Sequence, residues 1–537
     1  MNILKSAFLV SISIAIGLDD GSAGGKPRNG ADSVVNVSPK EMLHIGSVDE
    51  RFQSYNVEMA EVIGGNFWKP YDKQNTGTKK SDSDTSSYST DREFQIGGDD
   101  TSMFQRRTPV DLSNPRLRML AAALGPAYMR VSGTWANSVY FEDSDGPALA
   151  TPPKGFKGVL TRREWKGVVD FAKAVNAEIM TSFAISEGVR NVAGIWTSDQ
   201  AKKILNYTKS VGGEIAAAEL FNEPTIAAAG GAPPGYDAEN FAKDIAVFRP
   251  FAKTSDPNML IVGPGSAGEG VAIVPATMPV LKSEDLLSTT PRPMFDVFSY
   301  HFYGAVSERC ASMGKDMTTS PDVALSEKWL TSTDRVFSFY ESLRDRFATG
   351  KPIWVTETAD AACGGNPWAP TFLDCFRYLY QLGSLSRLGV SVVFHNTLAS
   401  SEYGLIDQTT FMPRPNYWAA LLWNRLMGRE VYEAGKGTSG VYLFAHNMKG
   451  NAGGITILII NTNDANASIN ISSDADQYTL TSKELMGRTV ELNGEELQLG
   501  ANDLLPAING KAIKAGNVGL PPTSITFLTF RGTINLK

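Results

Sequence analysis

Eight short apolar runs, each followed by a longer connection, recur between residues 52 and 427, and that alternation leaves few folds open. The runs fall at 52–58, 127–131, 178–183, 215–221, 259–262, 297–301, 352–356 and 391–394. Amphipathic, helix-like segments occupy 115–124, 162–175, 198–211, 237–255, 326–347 and 371–388, and a last one, 416–426, follows the eighth run. Parallel neighbours in a sheet need long, usually helical crossovers, whereas antiparallel ones are joined by tight turns. Eight strands with helical crossovers therefore predict an α/β fold whose parallel sheet closes into a (β/α)8 TIM barrel. Thr161, three residues before Glu164, has the spacing of a capping box, and Ser198 opens a run rich in Ala, Lys and Leu. The fifth helix is the weakest, lost among the glycines and prolines of 263–293.

Past residue 427 the period changes. "GVYLFAHNM", "GITILIINTN", "ASINISS", "YTLTSKEL" and "SITFLTF" are short runs between turn residues, most of them alternating apolar and polar side chains. This pattern predicts a C-terminal antiparallel β-sandwich. "SVVNVS", near residue 35, precedes the first barrel strand and is expected to join that sandwich, tying the chain ends together. The opening segment carries Lys5, an apolar stretch over 7–18 and small residues Gly21-Ser22-Ala23, the layout of an export signal. It is shorter than the roughly 20 apolar residues of a membrane-spanning helix, as is every later run. The expected organisation is a signal peptide over 1–23, an N-terminal strand joining the sandwich within 24–50, a barrel over 51–427 and a sandwich over 428–537. The expected location is secreted or periplasmic. Asn36, Asn206, Asn466 and Asn470 stand in Asn-x-Ser/Thr sequons, and the polar segment 72–102 is expected to be a surface excursion.

A formal net charge of −7, without a long Lys/Arg run, excludes the usual electrostatics of nucleic-acid binding. Three cysteines, Cys310, Cys363 and Cys375, are too few for a disulfide framework. The four histidines are scattered and form no zinc motif, so neither a metal nor another cofactor is expected.

Two apolar runs finish on acids. In "ELFNEP" the fourth strand is read as extending to Glu223, with Pro224 keeping that residue away from helical angles. In "KPIWVTETADAACGGNPW" the seventh strand is read as ending at Glu357. Catalytic groups of such barrels collect at the carboxyl ends of strands, which places these acids across one mouth. Glycosidic cleavage needs two carboxyl groups: one protonates the departing oxygen and one attacks the anomeric carbon. A separation of about 5–5.5 Å directs a covalent route with retention. Glu357 is assigned as nucleophile and Glu223 as general acid/base, the latter with a pKa raised by the charge of Glu357. Glu219 is read as a hydrogen-bonded residue inside the barrel.

"ELFNEP" and "IWVTETADAACGGNPW", together with "FQSYNVEM", "MRVSGTWANSVYF", "FSYHFYG", "SRLGVSVVFHNTLASSEYGLID", "RPNYWAALLWNRLMG" and "GLPPTSITFLTF", resemble glycoside hydrolase family 79, the heparanase and β-glucuronidase group. The resemblance implies a (β/α)8 barrel with a sandwich built from both chain ends, and a glucuronide or glucuronate-containing glycan as substrate. It assigns Glu223 as acid/base and Glu357 as nucleophile, and Gly364 and Gly365 as backbone donors to the glucuronate carboxylate. It also places Glu58, Thr134, Asn222, Tyr303 and Tyr403, with His301 and Asn396 as weaker candidates, near the sugar or the nucleophile. Relatives that cleave heparan sulfate carry a tyrosine where Cys363 stands, basic patches for sulfate and an excised linker, whereas "EDSDGPALATPPKGFKGVL" is short. These departures favour removal of terminal glucuronic acid over the alternative, internal cutting of a polymer. A reading of another class is a carbohydrate-binding protein that has lost turnover. Cys310 and Cys363 fall on neighbouring loops, which leaves a disulfide or two free thiols open. Oligomeric state is not legible in the sequence.

Overall fold

The computed structural model describes residues 35–71, 103–271, 273–274 and 278–532. The expected signal segment and the excursion over 72–102 lie outside the described residues. Eight parallel strands close a barrel: Gln53–Glu58, Ala127–Ser132, Ala177–Ser182, Ile215–Glu219, Leu260–Ser266, Val297–Tyr303, Ile353–Ala359 and Val390–His395. They are called barrel strands one to eight. The eighth pairs with the first, Phe394 opposite Ser54, so no edge is left.

The barrel interior is graded. Tyr128, Met180, Ala217, Val262, Val297, Trp354, Val392 and Phe394 pack together as an apolar floor. Trp354 lies 4.9 Å from Tyr128 and 5.8 Å from Phe394 between ring centroids, closing the base. Side chains two residues further along each strand sit one layer higher, and there they turn polar. Tyr128 gives way to Arg130 and Ser132, Ala217 to Glu219, and Val297 to Ser299, His301 and Tyr303. The floor makes the barrel a packed core; the layers above it carry the chemistry.

Helices follow most strands at the expected places, and the Thr161–Glu164 capping box forms at the start of Arg162–Ala174. The segment over 326–347 divides into Glu327–Leu330 and Ser332–Phe347. The weak fifth helix is a short one, Ser283–Ser288. Beyond the first strand an antiparallel pair, Gly65–Trp68 with Phe104–Arg107, brackets 72–102.

The C-terminal part forms two sheets. The larger one runs in the order His44–Ser47, Met427–Tyr432, Val441–Met448, Ile455–Asn461, Ser524–Phe530, Ala475–Thr481 and two short strands, with Lys511–Ile513 alongside. The smaller one sets Ala467–Ile471 between Val35–Val37 and Gly516–Leu520. The segment before the barrel thus supplies one strand to each sheet. Alternation fails in Ile455–Asn461, where every residue is buried. Ile455, Ile457 and Ile459 face the smaller sheet, while Leu458 and Ile460 join the barrel-side core. A strand buried on both faces reads as a continuous apolar run.

Helix Phe372–Arg387 forms the junction, and all its residues from Phe372 to Ser386 are buried. Gly383 lets Phe444 of the large sheet approach: a Cβ added there would stand 2.4 Å from the Phe444 ring, at its root atom Cγ. Helix propensity alone favours Ala over Gly by about 1 kcal/mol. The clash opposes it, and overpacking costs about 1–3 kcal/mol. Gly383→Ala is therefore expected to lower the urea midpoint of unfolding; an unchanged or higher midpoint would show that Phe444 can move aside.

Candidate active site

Arg130, on the second strand, is fully buried and grips two carboxylates. It donates through Nε to Glu219 Oε1 at 3.1 Å, through Nη1 to Glu357 Oε2 at 3.0 Å and through Nη2 to Asn222 Oδ1 at 2.6 Å, with a further Nη2 contact to Glu219. A buried guanidinium is tolerable only with such partners. Glu219, which also accepts from Ser132 Oγ at 2.9 Å, is the hydrogen-bonded interior residue expected of it.

Glu357 is not the last residue of its strand, which continues to Ala359. A register shift brings it inward instead. Tyr300 pairs with Val355, but His301 pairs with Glu357, so the seventh strand holds one extra residue at this level. Trp354 points to the floor, and the extra residue advances the phase so that Glu357, rather than Thr356, meets Arg130. Tyr303 Oη donates to Glu357 Oε1 at 2.6 Å. Asn396 Nδ2 in turn donates to Tyr303 Oη at 2.9 Å and Tyr403 Oη at 3.1 Å.

Glu223 departs further from expectation. The fourth strand ends at Glu219, and Glu223 sits four residues beyond it at φ 56°, ψ 61°. Pro224 does keep it from right-handed helical angles, but the outcome is the left-handed region, not an extended strand. Its neighbours hold that conformation. Asn137 donates to the Asn222 carbonyl and accepts from the Asn222 N–H, both at 3.0 Å. Thr225 exchanges hydrogen bonds of 2.8 and 2.9 Å with the Ala267 backbone. Backbone strain at one acid is thus fixed on both sides.

One oxygen of Glu223, one of Glu357 and a ring nitrogen of His301 lie within 4.8 Å of one another. His301 Nδ1 is 3.1 Å from Glu223 Oε1 and 3.6 Å from Glu357 Oε2, while its Nε2 is 3.4 Å from Arg130 Nη2. A guanidinium only donates, so Nε2 is the acceptor and Nδ1–H donates to Glu223. Burial, the largest influence, lowers the His301 pKa to about 4, so the ring is neutral near pH 7. Burial raises Glu223 to about 7, with Arg130 and the Asn222 hydrogen bond pulling it back. The elevation therefore arises from desolvation, not from the charge of Glu357 as expected; the Arg130 guanidinium lies against that charge. Burial, then Glu357 and Glu61, raise the Glu58 pKa well above its ordinary value, with Arg130 and Asn396 pulling it back. Among the described residues this acid–His–acid trio has the spacing to hold an ion. Arg130 already sets a positive charge on Glu357, where a cation would compete with it.

The cavity above these groups is lined by Glu58, Thr134, Glu223, Tyr303, Glu357, Asn396 and Tyr403, with Trp68, Trp135 and Cys363 among its walls. Seven of the eleven residues expected at the site therefore share one cavity. Asn222 touches Glu223, and His301 touches Glu223 and Glu357, without lining it. Gly364 and Gly365 are not part of the lining. Their φ values, 81° and 79°, follow Cys363 at 63°, a left-handed run that favours glycine. A Cβ on Gly364 would also stand 2.7 Å from Trp68, and one on Gly365 2.9 Å from the Tyr403 backbone. Arg309 Nη1 donates to the Cys363 and Gly365 carbonyls at 3.0 and 2.9 Å, and Glu402 N–H donates to the Gly364 carbonyl at 3.0 Å. Among the described residues the N–H groups of Gly364 and Gly365 have no partner. Cys310 and Cys363 form a disulfide between the loops after strands six and seven, and Cys375 is free and buried. Arg130, Asn137 and Arg309 were missed in the sequence. The detectable signal was Arg130, a lone cation inside "AYMRVS", since a charge in a buried strand requires a partner.

A closed parallel barrel with two acids converging in one cavity is the arrangement expected of a glycoside hydrolase of the (β/α)8 class. Residues 105–383, just over half of the chain, match the model of the N-terminal domain of glycosyl hydrolase family 79, and the chain belongs to that family. Heparanase-like protein 1 of Arabidopsis thaliana is 26% identical over 388 residues, 68% of this chain and 67% of that one. A baicalin-beta-D-glucuronidase of Scutellaria baicalensis is 32% identical over 234 residues, 40% of this chain and 42% of its own. In fold the chain is similar to a 4-O-alpha-L-rhamnosyl-beta-D-glucuronidase from Fusarium oxysporum (TM-score 0.59, 13% identity, covering 93% of this chain and 99% of that one).

Removing the cation of the central cluster tests its structural weight. Arg130→Leu leaves Glu219 and Glu357 buried without their counter-ion, a loss of about 3–5 kcal/mol in chemical denaturation. A variant within about 1 kcal/mol of wild type would mean that water or a rearranged side chain replaces the guanidinium.

Proposed function

We propose that the chain is a retaining exo-β-glucuronidase, with Glu357 as nucleophile and Glu223 as general acid/base. The carrying observation is the pair of carboxyl groups with oxygens within 4.8 Å, held in different environments. Glu357 receives Arg130 on one oxygen and Tyr303 on the other. Glu223 is raised to about 7 by burial and so keeps a substantial protonated fraction near neutral pH. Environments that separate two acids in this way assign the donor and the attacking group. In the first step Glu223 gives its proton to the aglycone oxygen as Glu357 bonds to the anomeric carbon. The ester consumes the Glu357 charge, and the Arg130 cation then acts more strongly on Glu223, which favours its ionised form. Glu223 next takes a proton from water, and the resulting hydroxyl displaces Glu357.

Removal of terminal glucuronate is favoured by the lining itself, which among the described residues includes no Lys or Arg to meet a sulfated chain. The unpartnered Gly364 and Gly365 N–H groups are the proposed anchor for the glucuronate carboxylate. A trans peptide points its N–H away from its C=O, and the preceding carbonyls are turned onto Arg309 and the Glu402 N–H. The relatives' names, one a glucuronidase and one heparanase-like, support glucuronide substrates and leave polymer cleavage as the rival.

The roles are separable with an aryl β-glucuronide and azide. Glu357→Gly should lose at least about 10³-fold in kcat and yield α-glucuronyl azide, whereas Glu223→Ala should yield the β-azide. Inverted assignments, or rescue in neither variant, would sink the scheme. In wild type, kcat/KM should fall as pH rises through about 7, because the acid must be protonated.

Export to an oxidising compartment is also proposed, from the opening segment together with the Cys310–Cys363 bridge. Protein secreted by its host should begin near residue 24; a secreted chain that retains Met1 would contradict this.

A further inference from the structure

The cavity has two unlike halves. Barrel strands seven, eight, one and two are consecutive around the ring. They and their loops contribute every polar side chain of the lining except Glu223 and Tyr303, namely Glu357, Asn396, Tyr403, Glu58 and Thr134. Trp68, Trp135, Ala362 and Cys363 come with them, and Tyr303 stands beside them at the end of strand six. The loops after strands four, five and six form the other half. They contribute Ile226 and Ala229, then Ile273, Val274 and Met278, then Met313. Every one of these six side chains is apolar. Glu223 stands at the seam, three residues before Ile226.

The seam position sets the direction of the substrate. The proton from Glu223 goes to the oxygen that leaves, so the sugar lies on the Glu357 side of that oxygen. The leaving group lies on the other side, over the loops after strands four to six. A monosaccharide there would press several hydroxyls against aliphatic side chains, and each hydroxyl that loses water without a new partner costs free energy. A sulfate or carboxylate on the leaving group would find no Lys, Arg or His in the lining among the described residues. An apolar body instead removes both itself and the wall from water.

We infer that this half of the cavity is an aglycone site for uncharged, apolar alcohols, alkyl or aryl in body, and that the substrates are glucuronides of such small molecules and not glycan chains. The inference rests on the proposed assignment of Glu223 as acid/base. It goes further in naming what leaves.

Leaving-group chemistry must be separated from binding, since aryl alkoxides depart more readily than sugars. Methyl, n-butyl and n-octyl β-glucuronides release alcohols of similar acidity and differ mainly in apolar area. Burial contributes at most about fourfold per methylene, so kcat/KM should rise at least about 30-fold from methyl to octyl. A β-glucuronyl-N-acetylglucosamine disaccharide should be no better than the methyl glucuronide. Met313→Asp and Met278→Asp, on separate loops, should each cut the octyl-to-methyl ratio at least about tenfold. A flat alkyl series, or a disaccharide cleaved faster than the octyl glucuronide, overturns the inference while leaving the glucuronidase reading intact. Failure to cleave any of these substrates, an aryl glucuronide included, overturns the glucuronidase reading itself.

Discussion

The buried guanidinium of Arg130 is the point on which the candidate site is built. It joins the second strand to Glu219 and Asn222 at the end of the fourth and to Glu357 of the seventh. These partners come from positions far apart in sequence, and nothing local would bring their side chains into register. A cation without solvent must be met by acceptors, and its planar fork fixes the directions from which they come. The apolar floor of Trp354, Phe394 and Tyr128 strengthens the constraint by keeping water from below. Floor and cation together explain why two acids can share one small volume: one is balanced by a charge, while desolvation raises the pKa of the other to about 7.

The barrel was legible because its signal is long and redundant. Each strand is an apolar run near the expected place, and the boundaries differ mostly by one or two residues. Two extend further: the fifth strand to Ser266 and the seventh to Ala359. The gain at the seventh reflects its polar upper end, "TETA", which hydropathy alone does not recognise as strand. In the larger sheet of the sandwich a strand was legible by a different signal, a continuous apolar run. Ile455–Asn461 is covered on both faces, so the alternation used to recognise antiparallel strands is missing where burial is deepest.

The two acids were legible as residues but not in their conformations. Reading each as the final residue of a strand placed both at the correct mouth. The actual devices, a register shift at Glu357 and a left-handed backbone at Glu223, depend on pairing partners and distant clamps such as Asn137. Neither leaves a local trace beyond Pro224. Gly364 and Gly365 carried such a trace in their composition, yet its reading was incomplete. Glycine is required there by positive φ and by the crowding of Trp68 and the Tyr403 backbone. The Gly383 position, set by the approach of Phe444, is equally silent until the sheet is in place.

Rigidity at this site is unequally distributed, and the pattern follows from what each part has to do. The two acids are held closely but by different means: Glu357 by a charge-assisted hydrogen bond from Arg130 and by Tyr303, and Glu223 by His301 and a backbone clamped through Asn137 and Thr225. The wall bearing Cys363 is held differently, by a disulfide to Cys310 and by Arg309 gathering two carbonyls of one loop. Both devices fix backbone rather than side chains, as suits a surface that would recognise a ligand through N–H groups. Toward the cavity, the described residues of the loops after strands four to six, Ile226, Ile273, Val274, Met278 and Met313 among them, present methyl and thioether surface, where dispersion and desolvation act without preferred directions. Small shifts there alter fit gradually, whereas a shift at Arg130 would disturb every charged group at once. Substitutions in the apolar loops can therefore leave the charged centre undisturbed, a separation that follows from the order of the strands around the ring.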